Sequence, residues 1–297
     1  EINTYARCLM IDFSRAFDIV DRELLLLKLQ LLDAPDSIIK WIASFLSNRS
    51  QHTFINGSAS DELPVNLGVV QGSVLGPSLF SIFIADLQPI SKYNDMVKFA
   101  DDVTILAPES TDSDIAVELN HVKEWALANR MVINLSKTKE LVFQRPRPSQ
   151  VILPPCLIGI ERITIAKLLG VHIDSHFSFS EHISFILRQC SQRMYVLRML
   201  QRRGLPSPSL EVVFNAIILS RIIYALSAWG GFITAHNRSR VDKVLSKAKR
   251  YRYCSKLSTF DELLERADSI LFRKAQCNSH CLNSILPSVR LCTTTLR

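Results

Sequence analysis

Apolar and polar positions change period several times along this chain, and each change marks an element. ARCLMIDF (6–13) is a short apolar run that predicts a buried strand ending at Asp12. DRELLLLKLQLLDA (21–34) and SIIKWIASFLSNR (37–49) carry helical spacing, the first with acids near its start, where the helix dipole favours them. QHTFINGSASDELPVNLG (51–68) predicts a hairpin with Asn56-Gly57 as its turn. Gly68, Gly72, Gly76 and Pro77 punctuate a loop, and SLFSIFIADL (78–87) continues as an apolar helix. Pro77 suits the first turn of that helix, where its missing N–H does no harm. MVKFA (96–100) and VTILA (103–107) predict short strands around a tight turn. DSDIAVELNHVKEWALANR (112–130) predicts an amphipathic helix capped by Thr111 or Asp112. MVINLSKTKELVFQ (131–144) reads as extended, RPRPSQVILPP (145–155) as a proline-rich loop, and ITIAKLLGVHID (163–174) as a further hairpin. From Ser180 the chain is almost wholly helical, with breaks at GLPSP (204–208), at Gly230-Gly231 and at 255–259. The pattern is a mixed α+β lobe followed by an all-α lobe, divided near residue 178.

Charge sharpens that division. Residues 1–180 hold 16 Lys and Arg against 21 Asp and Glu, a net charge of −5, whereas residues 181–297 hold 19 against 7, a net of +12. A basic lobe beside a mildly acidic one suits a polyanionic partner, of which nucleic acid is the commonest; solvated helix faces give the same count. A length of 297 residues predicts two lobes, and a 47% hydrophobic share is ample for their cores. VVFNAIILSRIIYALSAWGG (212–231) is the most lipid-like stretch, but Asn215 and Arg221 interrupt it, so a buried helix and no membrane partner are expected. The seven cysteines, odd in number and scattered, predict reduced thiols in an intracellular protein. CNSHC (277–281) has no second ligand pair at metal spacing. The chain opens on Glu1 without a basic-then-apolar leader, so no signal peptide is expected, and it reads as cut from something longer.

The candidate chemistry starts from VKFADDVTIL (97–106), where Asp101 and Asp102 interrupt an apolar run. Two adjacent buried carboxylates are costly. They are tolerable at a hairpin tip in water, or beside a divalent cation with a third carboxylate supplied from elsewhere. Asp12 is the candidate third, a neighbour of Asp101 if the two strands pair in one sheet. Carboxylates at strand ends are a common way to hold Mg²⁺, which keeps several waters and takes substrate phosphates.

DFSRAFD, GVVQGSVLGPSLFSIFIADL, FADD, NLSKTK and LLGVHID occur here in the order found in reverse transcriptases of non-LTR (LINE-like) retrotransposons, and the match runs from about Leu9 to Asp174. The resemblance implies a polymerase palm, with an antiparallel sheet and packed helices over residues 1–178, and a thumb-like helical region over 179–297. It implies RNA-directed DNA synthesis: deoxynucleoside triphosphates joined to a DNA primer 3′-hydroxyl on an RNA template, with two Mg²⁺ ions and Mn²⁺ as a substitute. Asp12 and Asp101 would bind the metals, with Asp102 supporting and the Phe13 carbonyl as a further ligand. Phe17 would lie under the sugar and exclude a ribose 2′-hydroxyl; without the motif it reads as ordinary core. Gln71 and Gly72 would pack against the incoming nucleotide and template. Lys137, preferred over Lys139, would protonate pyrophosphate. Leu169 and Gly170 resemble the primer-grip hairpin. Arg188, Arg193, Arg198, Arg202 and Arg203 recur along one predicted helix and would contact backbone phosphates.

The sequence departs from the family at Val70, where a proline is common before the QG pair, and at Arg15, where a lysine is common. Only eleven residues precede Asp12, so the fingers region that clamps triphosphate and template is largely absent. Because positioning supplies much of such catalysis, weak or no activity from the chain alone is expected. A non-catalytic nucleic-acid-binding remnant is the alternative of a different class, and an RNA-copying RNA polymerase a remoter one.

Overall fold

A computed structural model describes residues 3–111, 114–145, 152–256 and 258–287. The chain parts into two compact units, residues 1–165 and 166–297.

The first unit runs β1 (Tyr5–Ile11), α1 (Arg22–Leu31), α2 (Asp36–Leu46), β2 (Arg49–Gln51), β3 (Phe54–Ile55), β4 (Ser58–Ala59), β5 (Leu63–Val65), α3 (Leu75–Phe83), β6 (Asp95–Phe99), β7 (Asp102–Pro108), α4 (Ile115–Ala128), β8 (Lys139–Gln144) and β9 (Glu161–Ile163). Five strands form one sheet in the order β6-β7-β1-β8-β9. The sheet is not wholly antiparallel as expected, because β9 joins β8 in parallel. Alternation along β1 puts Leu9 and Ile11 on the face that packs against Phe80 and Phe83 of α3 and Val122 and Trp125 of α4. The expected hairpin forms as two nested pairs, β2 with β5 and β3 with β4, and Asn56 and Gly57 both turn left-handed at its tip. Helix α4 is capped by Asp114 and not from Thr111; Asp112 and much of the proline-rich stretch lie outside the described residues. The stretch expected to be extended over 131–144 is a strand only in β8. Just before it, Asn134 gathers the residues that follow it into a turn, its carbonyl accepting from the amides of Lys137 and Thr138 at 3.2 and 2.9 Å.

The register also builds a buried charge row. Glu140 stands opposite Leu9 on one side and Arg162 on the other, and Arg7 lies two residues before Leu9 on the same face. Arg7 Nε donates to Glu140 Oε1 at 2.7 Å and Arg162 Nε to Oε2 at 2.8 Å, with the Glu140 side chain wholly buried.

The second unit begins with the hairpin β10 (Ile165–Leu168) and β11 (Val171–Asp174) and continues through α5 (Ser180–Arg202), α6 (Ser207–Phe214), α7 (Ser220–Ile223), α8 (Leu226–Trp229), α9 (Ala235–Arg250) and α10 (Phe260–Ala275). Val171 of the hairpin packs into the helical core. Ile183, Ile186, Cys190, Met194 and Leu197 form the buried stripe of α5, at helical spacing. Leu210, Phe214, Ile218 and Ile222 face it. Residues 215–219 between α6 and α7 form a π-turn, and Arg193 donates to the Ile217 carbonyl inside it. Ser207–Phe232 is apolar and long enough to cross a membrane by composition, yet it breaks at Tyr224 and at Ala225, which is left-handed, and its buried residues form this core. The cysteines among the described residues are free.

Candidate active site

The three aspartates come together because of how two strands end. β1 pairs with β7 so that Ile11 faces Val103, and the same register carries Asp12 opposite Asp102. Strands β6 and β7 are joined by Ala100 and Asp101 alone, with Phe99 facing Asp102. Ala100 takes the left-handed conformation that a two-residue turn demands, unusual for a residue with a Cβ. Asp101 therefore sits on the tip and Asp102 at the head of the returning strand. Partial desolvation of the Asp102 carboxyl, then the charges of Asp101 and Asp12, raise its pKa. The carboxylates thus feel one another across the strand ends. Among the described residues no three acidic, histidine or cysteine side chains are drawn together tightly enough to form a ready-made metal cage. The donor set nonetheless fits a hard divalent cation: it is all oxygen, it is self-repelling, and among the described residues its one ion-pair partner is Lys137, 3.7 Å from Asp12.

The backbone adds a further oxygen. The amide of Asn134 donates to the Asp12 carbonyl at 2.8 Å and that of Ser14 to the Val132 carbonyl at 2.8 Å, in a bridge pairing Phe13 with Ile133. Both bonds flank Phe13, so its own carbonyl takes no part in the bridge. The Phe13 ring is buried, edge-on to Trp125. Lys139 is committed elsewhere, to Ser136 and Glu161, which leaves Lys137 as the lysine near Asp12.

Phe17 is half-buried and stacked on Phe80 of α3, with ring centroids 4.6 Å apart. Its carbonyl accepts from Val69, tying this segment to the glycine loop. Gly68 is left-handed and lies so close to Asp18 that a Cβ would fall 2.7 Å from the Asp18 carbonyl oxygen. Gly72 is also left-handed but faces open space. Gln71 donates to Asp18 at 2.6 Å. A cavity of about 770 Å³ opens beside it, with Arg15, Arg22 and Arg49 in its walls.

Two residues that sequence reasoning passed over hold this arrangement. Arg22 donates to the carbonyls of Val65, Leu67 and Gly68 at 2.8, 3.0 and 3.1 Å and so fixes the loop before Gln71. Its signal was its place: a cation on the first residue of a helix opposes the dipole and calls for another use. Lys98 donates to the carbonyls of Ile84, Ala85 and Leu87, ending α3 from the strand that leads into Asp101. Burial lowers its pKa, the charge of Asp86 opposes this, and Lys28 adds to the lowering. Replacing Lys98 with methionine strips three carbonyls of their donor. The expected cost is about 1–3 kcal/mol, read by chemical denaturation; an unchanged midpoint would show the lysine to be dispensable.

In the second unit, Leu169 and Gly170 are both left-handed and form the tip of the β10–β11 hairpin. The Tyr224 hydroxyl donates to the Leu169 carbonyl at 2.8 Å, a partner that the sequence pattern did not suggest. The four arginines of α5 and Arg203, which caps it, do not share one face. At 3.6 residues per turn, Arg188, Arg198, Arg202 and Arg203 fall within about 140° of each other. Arg193 points elsewhere and is half-buried on the π-turn, while the other four are exposed.

The family model described as reverse transcriptase (RNA-dependent DNA polymerase) matches residues 1–173. Among curated proteins, the chain is 28% identical over 83% of its length to the probable RNA-directed DNA polymerase from transposon BS of Drosophila melanogaster, covering 29% of that protein. It is 29% identical over 81% of its length to the RNA-directed DNA polymerase from mobile element jockey of the same species, covering 28% of it. To the probable polymerase from transposon X-element it is 30% identical over 83%, covering 28%. The chain thus spans under a third of the length of these relatives. Of solved structures, telomerase from Candida tropicalis in complex with a TWJ fragment of telomeric RNA superposes at a TM-score of 0.43 with 12% identity, over 95% of this chain and 48% of that one, which is too loose to add weight.

Proposed function

The chain belongs to the reverse transcriptase (RNA-dependent DNA polymerase) family, of the kind carried by non-LTR retrotransposons, and from that premise we propose that it performs the nucleotidyl transfer of such an enzyme, adding deoxynucleotides to a DNA primer on an RNA template. The observation that carries this reading is the meeting of Asp12, Asp101 and Asp102 at the adjoining ends of β1 and the β6–β7 hairpin. In this reading residues 1–178 act as palm and 179–297 as thumb-like region.

Asp12 and Asp101 would hold divalent cations with the Phe13 carbonyl, with Asp102 in support; Mg²⁺, or Mn²⁺ in its place, would there supply a lowered pKa at the primer 3′-hydroxyl and charge neutralisation at the pyrophosphate. Lys137, already paired with Asp12, is poised to hand a proton to that leaving group. Gln71 and Gly72 bear on the incoming nucleotide, where the open space before Gly72 admits a close neighbour. Leu169 and Gly170 rest against the primer end. Arg188, Arg198, Arg202 and Arg203 contact phosphates, whereas Arg193 acts on the π-turn carbonyl.

Primer extension on an RNA template with Mg²⁺ tests the proposal. Extension by the wild type, lost on replacing Asp101, supports it. RNA binding without any extension by the wild type would favour a non-catalytic remnant instead.

Phe17 carries a second expectation. The Phe80 stack holds its ring in place, which is what a steric filter against a 2′-hydroxyl requires. Phe17→Ala is expected to raise ribonucleotide incorporation relative to deoxynucleotide by about 10–100-fold, the range of small steric discriminations. Single-nucleotide kinetics would decide, with a melting curve to control for the lost stack. An unchanged ratio in a folded variant would return Phe17 to the core.

A further inference from the structure

The helical unit carries a second concentration of chemistry, on residues other than those of the hairpin at Leu169. The C-terminal ends of α5 and α9 are linked by Gln201, whose amide donates to the Tyr251 carbonyl at 3.1 Å. After α9 the chain turns sharply at left-handed Arg252 and tucks Tyr253 into the core. The turn leaves Lys249, Arg250 and Arg252 around a cavity of about 570 Å³, with Ser207 and Pro208 of the first turn of α6 on its far wall. Glu211 is the single carboxylate there. Its side chain accepts from Ser255 at 2.7 Å, and Lys249 donates to the Ser255 carbonyl.

Arg250 and Arg252 are exposed and enter none of the ion pairs among the described residues. Tyr251 is 41% exposed, with the Arg250 guanidinium 5.3 Å and the Lys247 amine 5.8 Å from its ring centre. Arg198 and Arg202 stand close enough for their charges to act on Tyr253. Helix dipoles favour a cation or two at each C-terminus. They do not account for a concave site lined by three cations, two of which flank in sequence an exposed aromatic ring that itself lies against cations.

We propose that this cleft is a binding site for single-stranded nucleic acid, in which Arg250, Arg252 and Lys249 take phosphate oxygens while Tyr251 stacks on an unpaired base. Arginine forks suit phosphate oxygens, and a base offers its π face whatever its sequence. The site rests on the charge and shape of the helical unit and not on the carboxylates, so it does not depend on catalysis.

The test measures binding of a short fluorescent single-stranded RNA to the full chain by anisotropy, in EDTA, over a range of salt. The Arg250→Gln, Arg252→Gln double variant should lower the slope of log affinity against log salt by about 1.4, the counterions released by two single-strand phosphate contacts. Tyr251→Ala should weaken binding by about tenfold with the slope unchanged. Circular dichroism and melting curves establish that both variants fold. A wild-type salt slope in the folded arginine variant overturns the proposal. Displacement of the RNA by inorganic phosphate at equal phosphate concentration overturns it too, because it marks a simple anion site. Tighter binding to phosphatidylserine vesicles than to RNA, lost in the same variants, would assign the cleft to a membrane surface. No nucleotide is added in this assay, so its failure and a failure of primer extension are separate results.

Discussion

On the proposed reading, Asp101→Asn is expected to abolish whatever primer extension the chain supports and to leave the fold intact. The asparagine keeps the shape of the hairpin tip but cannot offer a charged oxygen to a cation. If Asp101 holds a cation as proposed, its loss should remove several kcal/mol of transition-state stabilisation, or roughly a thousandfold or more in rate at about 1.4 kcal/mol per decade. Stability should move the other way or not at all. Asp101 helps to raise the pKa of Asp102 through like charge, and neutralising it relieves that repulsion. Single-turnover extension on an RNA template, read beside a denaturation curve, separates the two effects. Rate and stability falling together would make Asp101 a structural residue. A folded variant that still extends at the wild-type rate would remove it from the site.

The second large effect lies away from the carboxylates. Glu140→Ala removes the buried carboxylate that Arg7 and Arg162 share, leaving Arg7 only its 3.4 Å contact with the more exposed Asp114 and Arg162 without an ion-pair partner among the described residues. Breaking a buried pair from one side costs about 3–5 kcal/mol. For a unit of this size that lowers the melting temperature by about 10 °C. The damage should spread, because Arg7 and Arg162 also donate to the Pro155 carbonyl and Arg162 to that of Pro154, pinning the chain that leads into β9. Thermal melting monitored by circular dichroism checks this. A loss below about 1 kcal/mol, the value of an exposed pair, would mean that water reaches the row.

The elements whose cause is local were legible in the sequence. Asn56-Gly57 can do little but turn, and the alternation around FADD required strands on both sides of a tight bend. The three aspartates could be named because they stand at predicted strand ends, while the roles expected of them came from the resemblance. Features set by long-range register were not legible. Nothing near Glu140 announces that Arg162 will lie beside it in parallel pairing, and the NLSKTK stretch reads as extended until Asn134 gathers the following amides. The arginines of α5 looked uniform because composition is blind to azimuth. Arg193 differs from its neighbours only through a carbonyl contributed by a segment more than twenty residues away.

That carbonyl belongs to the π-turn, whose effect is one of phase. The buried residues Leu210, Phe214, Ile218 and Ile222 recur every fourth position. In an unbroken α-helix, twelve residues overshoot whole turns by about 120°, and such a row would wind away from the surface it covers. One surplus residue taken up by a wide turn gives back about 100°. The apolar row therefore stays straight against α5, and Arg193 is the pin that holds the correction in place.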